Sequence, residues 1–182
     1  MTKGRGNSRY SRLLVYFSLS LLMCVSFVEG ADIQRSEQEV KAAFIHHFCA
    51  YVTWPEPPAD SRFAVGITAS RKTARILKKT LEEKSNSACQ FNVHFVSPGD
   101  DLKNIHILYA TQDGQASIAD FRALASSPAI LTISEDKQMP THGVINFVIR
   151  DDYVRFQISK SHADEIGLKL SSQLLEVAVQ VD

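Results

Sequence analysis

The sequence predicts an α/β protein: a mostly parallel central sheet flanked by helices, with a C-terminal antiparallel hairpin and a final helix. Three observations carry this expectation. Short apolar runs at 63–67, 91–96, 105–110 and 129–133 are separated by segments of helical spacing or by polar connections, and strands joined through helices need crossovers, which means parallel pairing. The runs at 144–149 and 153–158 are separated only by Arg150-Asp151-Asp152, a polar link in which Asp tolerates the left-handed backbone of a tight turn. In the second of these runs Val154, Phe156 and Ile158 alternate with Tyr153, Arg155 and Gln157, the period of a strand with one buried face.

Residues 1–12 carry Lys3, Arg5, Arg9 and Arg12 with no acid, and 13–28 are apolar or small. This is the pattern of a secretory signal peptide with cleavage expected after Gly30; the run is short for a retained membrane span, which needs about 20 apolar residues. Met23 stands before Cys24 where a lipoprotein site wants a small residue. The mature chain, 31–182, is expected to be one domain.

A first helix is expected over 37–53, with Val40, Ala43, Phe44, Phe48 and Tyr51 at helical spacing and Ala42, Ile45, Cys49 and Val52 near a second stripe. A helix so apolar lies deep in a core or is divided between the core and another chain. Trp54-Pro55 ends it, and Pro55, Pro57 and Pro58 make an extended connection. The strand at 63–67 leads into a helix over Arg71–Lys84 with Ala74, Leu77 and Leu81 inward. A turn cluster at 97–101, Ser-Pro-Gly-Asp-Asp, follows the second strand. A helix over 115–125 precedes the fourth strand. After the hairpin, Ser159 or Ser161 caps a short helix that Gly167 can end, and Ser171 caps a last helix carrying Leu174, Leu175 and Ala178.

Lys and Arg total 20, as do Asp and Glu. Loss of 1–30 leaves 16 basic against 19 acidic residues, so no basic stripe is available for nucleic acid. Cys49 and Cys89 would meet an oxidising compartment. They read equally well as a disulfide, which would close a loop of about 40 residues and contribute about 4 kcal/mol, or as two buried thiols.

The segment from Gly66 to Thr73, GITASRKT, has the outline of a phosphate-binding loop between a strand and a helix. Arg71 occupies the place of the required second glycine, so the expectation reduces to a ligand site at Ser70, Arg71, Lys72 and Thr73, at the carboxyl end of a strand. Of the six histidines, His46 and His47 are adjacent and point about 100° apart on a helix, and no pair has a metal-ligand spacing; no metal or cofactor is expected. Neither a GxSxG serine nor a cysteine with an evident base is present. Ser134-Glu135-Asp136 reads as a solvated acidic loop rather than a catalytic carboxylate pair. No catalytic constellation results, and a secreted hydrolase is only a remote reading.

The segments GVINFV, VRFQIS and GLKLSSQLLEVA resemble the C-terminal signature of the YfiR family, GGMINF, VRFEIN and GLKISSKLL. VKAAFIHHFCAYVTWP, residues 40–55, is similar to the same family's opening helix, VKAAFLYNFAKFVEWP. Departures are His142 for the first glycine, Ser159 for Asn, and His46, His47 and Cys49 in the helix. The resemblance implies a periplasmic regulator that binds the periplasmic sensor domain of a membrane-bound GGDEF diguanylate cyclase of the YfiN type, represses it, and lowers cyclic di-GMP and biofilm formation. Contacts to that partner, or between two copies in a homodimer, are expected from Phe44, Phe48 and Tyr51 on the helix and Tyr153 on the hairpin; the alternative is that all four are core, which suits Phe44 and Phe48 best. The alternative from another class is a periplasmic small-molecule-binding module without a cyclase partner, its ligand near Ser70, Asn104 or Asp113.

Overall fold

The computed structural model describes residues 29–121, 124, 129–139 and 142–182, and side chains from residue 37 onward. The expected signal-peptide residues 1–28 lie outside the described residues. Residues 37–182 form one compact unit. Its elements are α1 (Glu29–Tyr51), β1 (Val52–Thr53), β2 (Arg62–Thr68), α2 (Arg71–Lys84), β3 (Gln90–Phe95), β4 (Ile107–Ala110), β5 (Leu131–Ser134), β6 (Ile145–Arg150), β7 (Tyr153–Ile158), α3 (Lys160–Glu165), β8 (Lys169–Leu170), α4 (Ser172–Val177) and β9 (Gln180–Val181).

Seven strands make one sheet in the order β3-β2-β4-β5-β6-β7-β9. Pairing is parallel from β3 through β6, antiparallel between β6 and β7, and parallel again between β7 and β9. This is the α/β architecture with a mostly parallel sheet and an antiparallel hairpin that the apolar runs predict. Strand alternation divides the core into two layers. Val65, Ile67, Ile107, Tyr109, Leu131 and Ile133 face α1 and α2, where they meet Ile45, Phe48, Leu77 and Leu81. Leu108 and Ala110 face the other way, onto a smaller cluster with Leu102, Ile105, Ile118 and Phe121.

The β6–β7 turn has two central residues, because Arg150 pairs with Tyr153. Asp151 and Asp152 both have positive φ, 51° and 62°, the backbone that a two-residue hairpin turn of matching twist demands. Gly167, at φ 82°, stands just past α3 and supplies the left-handed residue that ends it.

Three expectations are corrected. The α-helix over 115–125 is absent from its described residues, which hold the 3-10 turn Ile118–Asp120 and, farther on, Leu124 in 3-10 conformation. Ile118, Phe121 and Leu124, which share one apolar cluster, are three apart, the period of a 3-10 turn, while Ser117 and Asp120 close a reciprocal cap around the first turn. The first helix begins at Glu29 rather than at 37, and it ends at Tyr51 because Val52 and Thr53 pair with Leu170 and Lys169. The last helix stops at Val177; Ala178 is its C-cap, and the chain then extends to lay β9 beside β7.

Candidate functional site

The strand order fixes where a site is favoured. From β2 the chain crosses through α2 to β3 on one side, and from β3 it returns to β4 on the other side of β2. The carboxyl ends of β2 and β4 therefore border a topological switch point, the crevice where open α/β sheets bind ligands. One carboxylate ties this place together. Asp113 accepts hydrogen bonds from the Ser70 backbone N–H at 3.3 Å, the Thr73 hydroxyl at 2.6 Å and the Thr111 hydroxyl at 2.7 Å. Burial alone would raise the Asp113 carboxyl, but the donors from Ser70, Thr73 and Thr111 outweigh it and hold the group below its ordinary value. Gly114 allows the chain to turn here: a Cβ at that position would come within 2.7 Å of the Thr68 carbonyl oxygen.

The expected ligand site at Ser70–Thr73 is divided by this arrangement. Ser70 caps α2 by accepting from the Thr73 N–H at 3.3 Å, and Asp113 takes the position that an external anion would need at the helix start. Arg71, by contrast, lines an open cleft of about 540 Å³ with Arg75, Thr68, Phe95, Ser97 and Gln115. Lys72 is not part of that lining. Asn104 is on the exposed connection before β4. Arg75 and Phe95 escaped the sequence reading, although Arg75 lies four residues after Arg71 and shares its helical face.

A second polar cluster was not anticipated. Lys41 of α1 is only 3 % exposed and forms ion pairs with Glu37 and, at 3.0 Å, with Glu135 after β5. Glu135 also accepts hydrogen bonds from the Tyr109 hydroxyl and the Gln112 backbone N–H. Burial first, and then the Glu135 carboxylate, push the Tyr109 phenol far up, so it stays neutral and donates. Glu135 is thus a half-buried carboxylate with both oxygens engaged, not the solvated loop residue expected. A lysine on a helix apolar nearly all round was the signal.

The remaining predicted residues fall into place as follows. Phe48 is buried against Phe147 and Phe156 and is core, so the expectation of a partner contact at Phe48 is corrected. Phe44 is half-buried, packing on Phe156 at 5.3 Å between ring centroids. Tyr51 and Tyr153 are exposed. Cys49 on α1 and Cys89 beside β3 are both free, buried thiols; the Cys49 S–H donates to the Ile45 carbonyl oxygen at 3.6 Å. Burial, then the neighbouring Cys89, raises the Cys49 thiol. Among the described residues no three His, Cys, Asp or Glu side chains gather as metal ligands.

Residues 38–179 match the family model described as YfiR/HmsC-like. The chain belongs to this family. Members of the YfiR/HmsC-like family are periplasmic, non-catalytic regulators of cyclic di-GMP signalling that act with membrane diguanylate cyclases. Among the described residues no helix is long and apolar enough to cross a membrane. No curated protein matches the chain. Among solved structures, a conserved domain protein from Vibrio cholerae O1 biovar eltor str. N16961 is similar at 11 % identity with a TM-score of 0.48, over 80 % of this chain and 60 % of that one.

Proposed function

We propose that the protein is exported with cleavage after Gly30, functions as the single domain 31–182 without a retained membrane span, and represses a YfiN-type diguanylate cyclase by binding its periplasmic sensor domain. Cyclic di-GMP and biofilm formation fall as a result. The observation that carries this reading is the YfiR/HmsC-like match, which spans nearly all of the mature chain. Repression of this kind requires the protein to bind one conformation of the cyclase better than the other, because a partner without differential affinity shifts nothing.

The surface supports contacts on two elements. Val40, Phe44, His47 and Tyr51 lie on one helical stripe of α1, and Val40, His47 and Tyr51 are exposed along it. Ile149 and Tyr153, 53 % and 63 % exposed, flank the hairpin turn. We assign the cyclase contact, or the contact between two copies of a homodimer, to this stripe through Phe44 and Tyr51 and to the hairpin through Tyr153.

The test is cellular cyclic di-GMP with and without this gene, in a strain whose partner cyclase can also be deleted. Deletion of the gene raises cyclic di-GMP, and the rise disappears when the cyclase is deleted too. An unchanged level, or a rise that persists without the cyclase, contradicts the proposal.

A further inference from the structure

We propose that the cleft at the carboxyl ends of β2 and β3 binds a small dianion, a phosphomonoester or a dicarboxylate, that carries an apolar group. The cleft measures about 540 Å³, within the range of about 300–1,000 Å³ common to small-molecule sites. Arg71 and Arg75 stand on successive turns of α2 and both line it. Neither has an ion-pair partner among the described residues, whereas Lys78 and Lys79 farther along the helix are paired with Glu82 and Glu83. No carboxylate lines the cleft among the described residues. Asp113, the nearest acid of the switch point, is committed to Ser70, Thr73 and Thr111.

Two uncompensated guanidiniums on one wall match a group with two negative charges. Each guanidinium offers a planar fork of donors suited to phosphate or carboxylate oxygens, and Thr68, Ser97 and Gln115 add neutral hydrogen-bonding groups around the same space. The lining also carries apolar groups, among them Ile67, Phe95, Val96 and Pro98. Phe95, at the end of β3, is 59 % exposed, a large ring left uncovered beside the two cations, and a ligand with an apolar body would cover it. The filled helix start also narrows the class: Asp113 occupies the end of α2 itself, so the anion is held by side chains and not by a phosphate loop. This inference stands apart from the cyclase reading, since binding is measured on the purified chain without any partner.

The experiment is calorimetric titration of the purified mature chain with phenyl phosphate, inorganic phosphate, succinate and phenylsuccinate, alongside Arg71→Gln, Arg75→Gln, Phe95→Ala and Lys79→Gln. Lys79→Gln removes the same charge from an exposed position on α2 outside the cleft. Binding of phenyl phosphate or phenylsuccinate is expected in the wild type and in Lys79→Gln. The loss of either arginine weakens it about tenfold or more, the effect of one charge-assisted hydrogen bond. Phe95→Ala weakens the phenyl compounds but not their parent ions. Comparison of the phosphate and succinate pairs decides between the two dianion sources. No binding at millimolar probe, or equal weakening by Lys79→Gln and the arginine variants, would overturn the proposal; the second result would mean a diffuse attraction to the helix. Each variant's melting is recorded, so loss of binding with unchanged melting cannot be a failure to fold.

Discussion

Lys41 is the residue whose removal is expected to cost the most. It is buried between Glu37 and Glu135, and Glu135 also holds Tyr109 and the Gln112 backbone. Deleting Lys41 leaves Glu135, whose side chain is only 9 % exposed, without its cation. Lys41→Ala is therefore expected to destabilise the fold by about 3–5 kcal/mol, read from urea unfolding; a loss under about 1 kcal/mol would mean that the cluster behaves as a surface ion pair. His106 gives the protein a pH dependence. Burial lowers its pKa, and its Nδ1 accepts the Ala64 N–H at 3.0 Å, which only an unprotonated nitrogen can do. The unfolded chain takes up this proton at a higher pH than the folded protein does. The stabilisation is full above the ordinary imidazole value, about 6.5, and is lost as pH falls through the lower folded value. His46, lowered by burial and by His47 and Lys84, acts in the same direction. Unfolding midpoints measured from about pH 7.5 down to about pH 5 should fall, and His106→Asn should flatten part of that fall. An identical profile in the variant would remove His106 from the account.

At the scale of elements, what the sequence made legible is what has a period. The alternation in 153–158 and the apolar runs before it give β2 through β7 to within a residue or two, and Asp151-Asp152 marks the turn. The two-residue strands β1, β8 and β9 are too short to carry a period, and their pairing follows only from where α1 and α4 end. The site divides in the same way. Arg71 was visible as a basic residue after a strand, whereas the pairing of Asp113 with Ser70 and Thr73 joins positions some 40 apart that no local pattern links. The two cysteines stand on α1 and just before β3, both buried, and Cys89 lies near enough to Cys49 to help raise its thiol. We propose that they pair in the oxidising periplasm. Reduction of the exported protein, or Cys89→Ser, should then lower stability by about 4 kcal/mol, and the weakened inhibitor should release the cyclase. Equal melting of the oxidised and reduced protein, with unchanged cyclic di-GMP in the variant, would sink this idea.

At the scale of the whole molecule, the fold separates two kinds of surface. The Arg71–Arg75 cleft lies at the carboxyl ends of β2 and β3, beside the switch point, lined by α2, the segment after β3 and Gln115-Ala116. The exposed apolar residues to which the partner contact is proposed, Val40, Tyr51, Ile149 and Tyr153, lie on α1 and around the β6–β7 turn. A ligand could therefore tune repression without competing for the partner's surface. Binding of the purified mature chain to the purified periplasmic domain of its cyclase tests the central claim most directly, with Tyr51→Asp and Tyr153→Asp measured beside the wild type. A saturable complex is expected, which each substitution weakens at least about tenfold, the loss that follows when an exposed aromatic anchor becomes a charge, while melting is unchanged. No complex under oxidising conditions, or a complex indifferent to both substitutions, would contradict it.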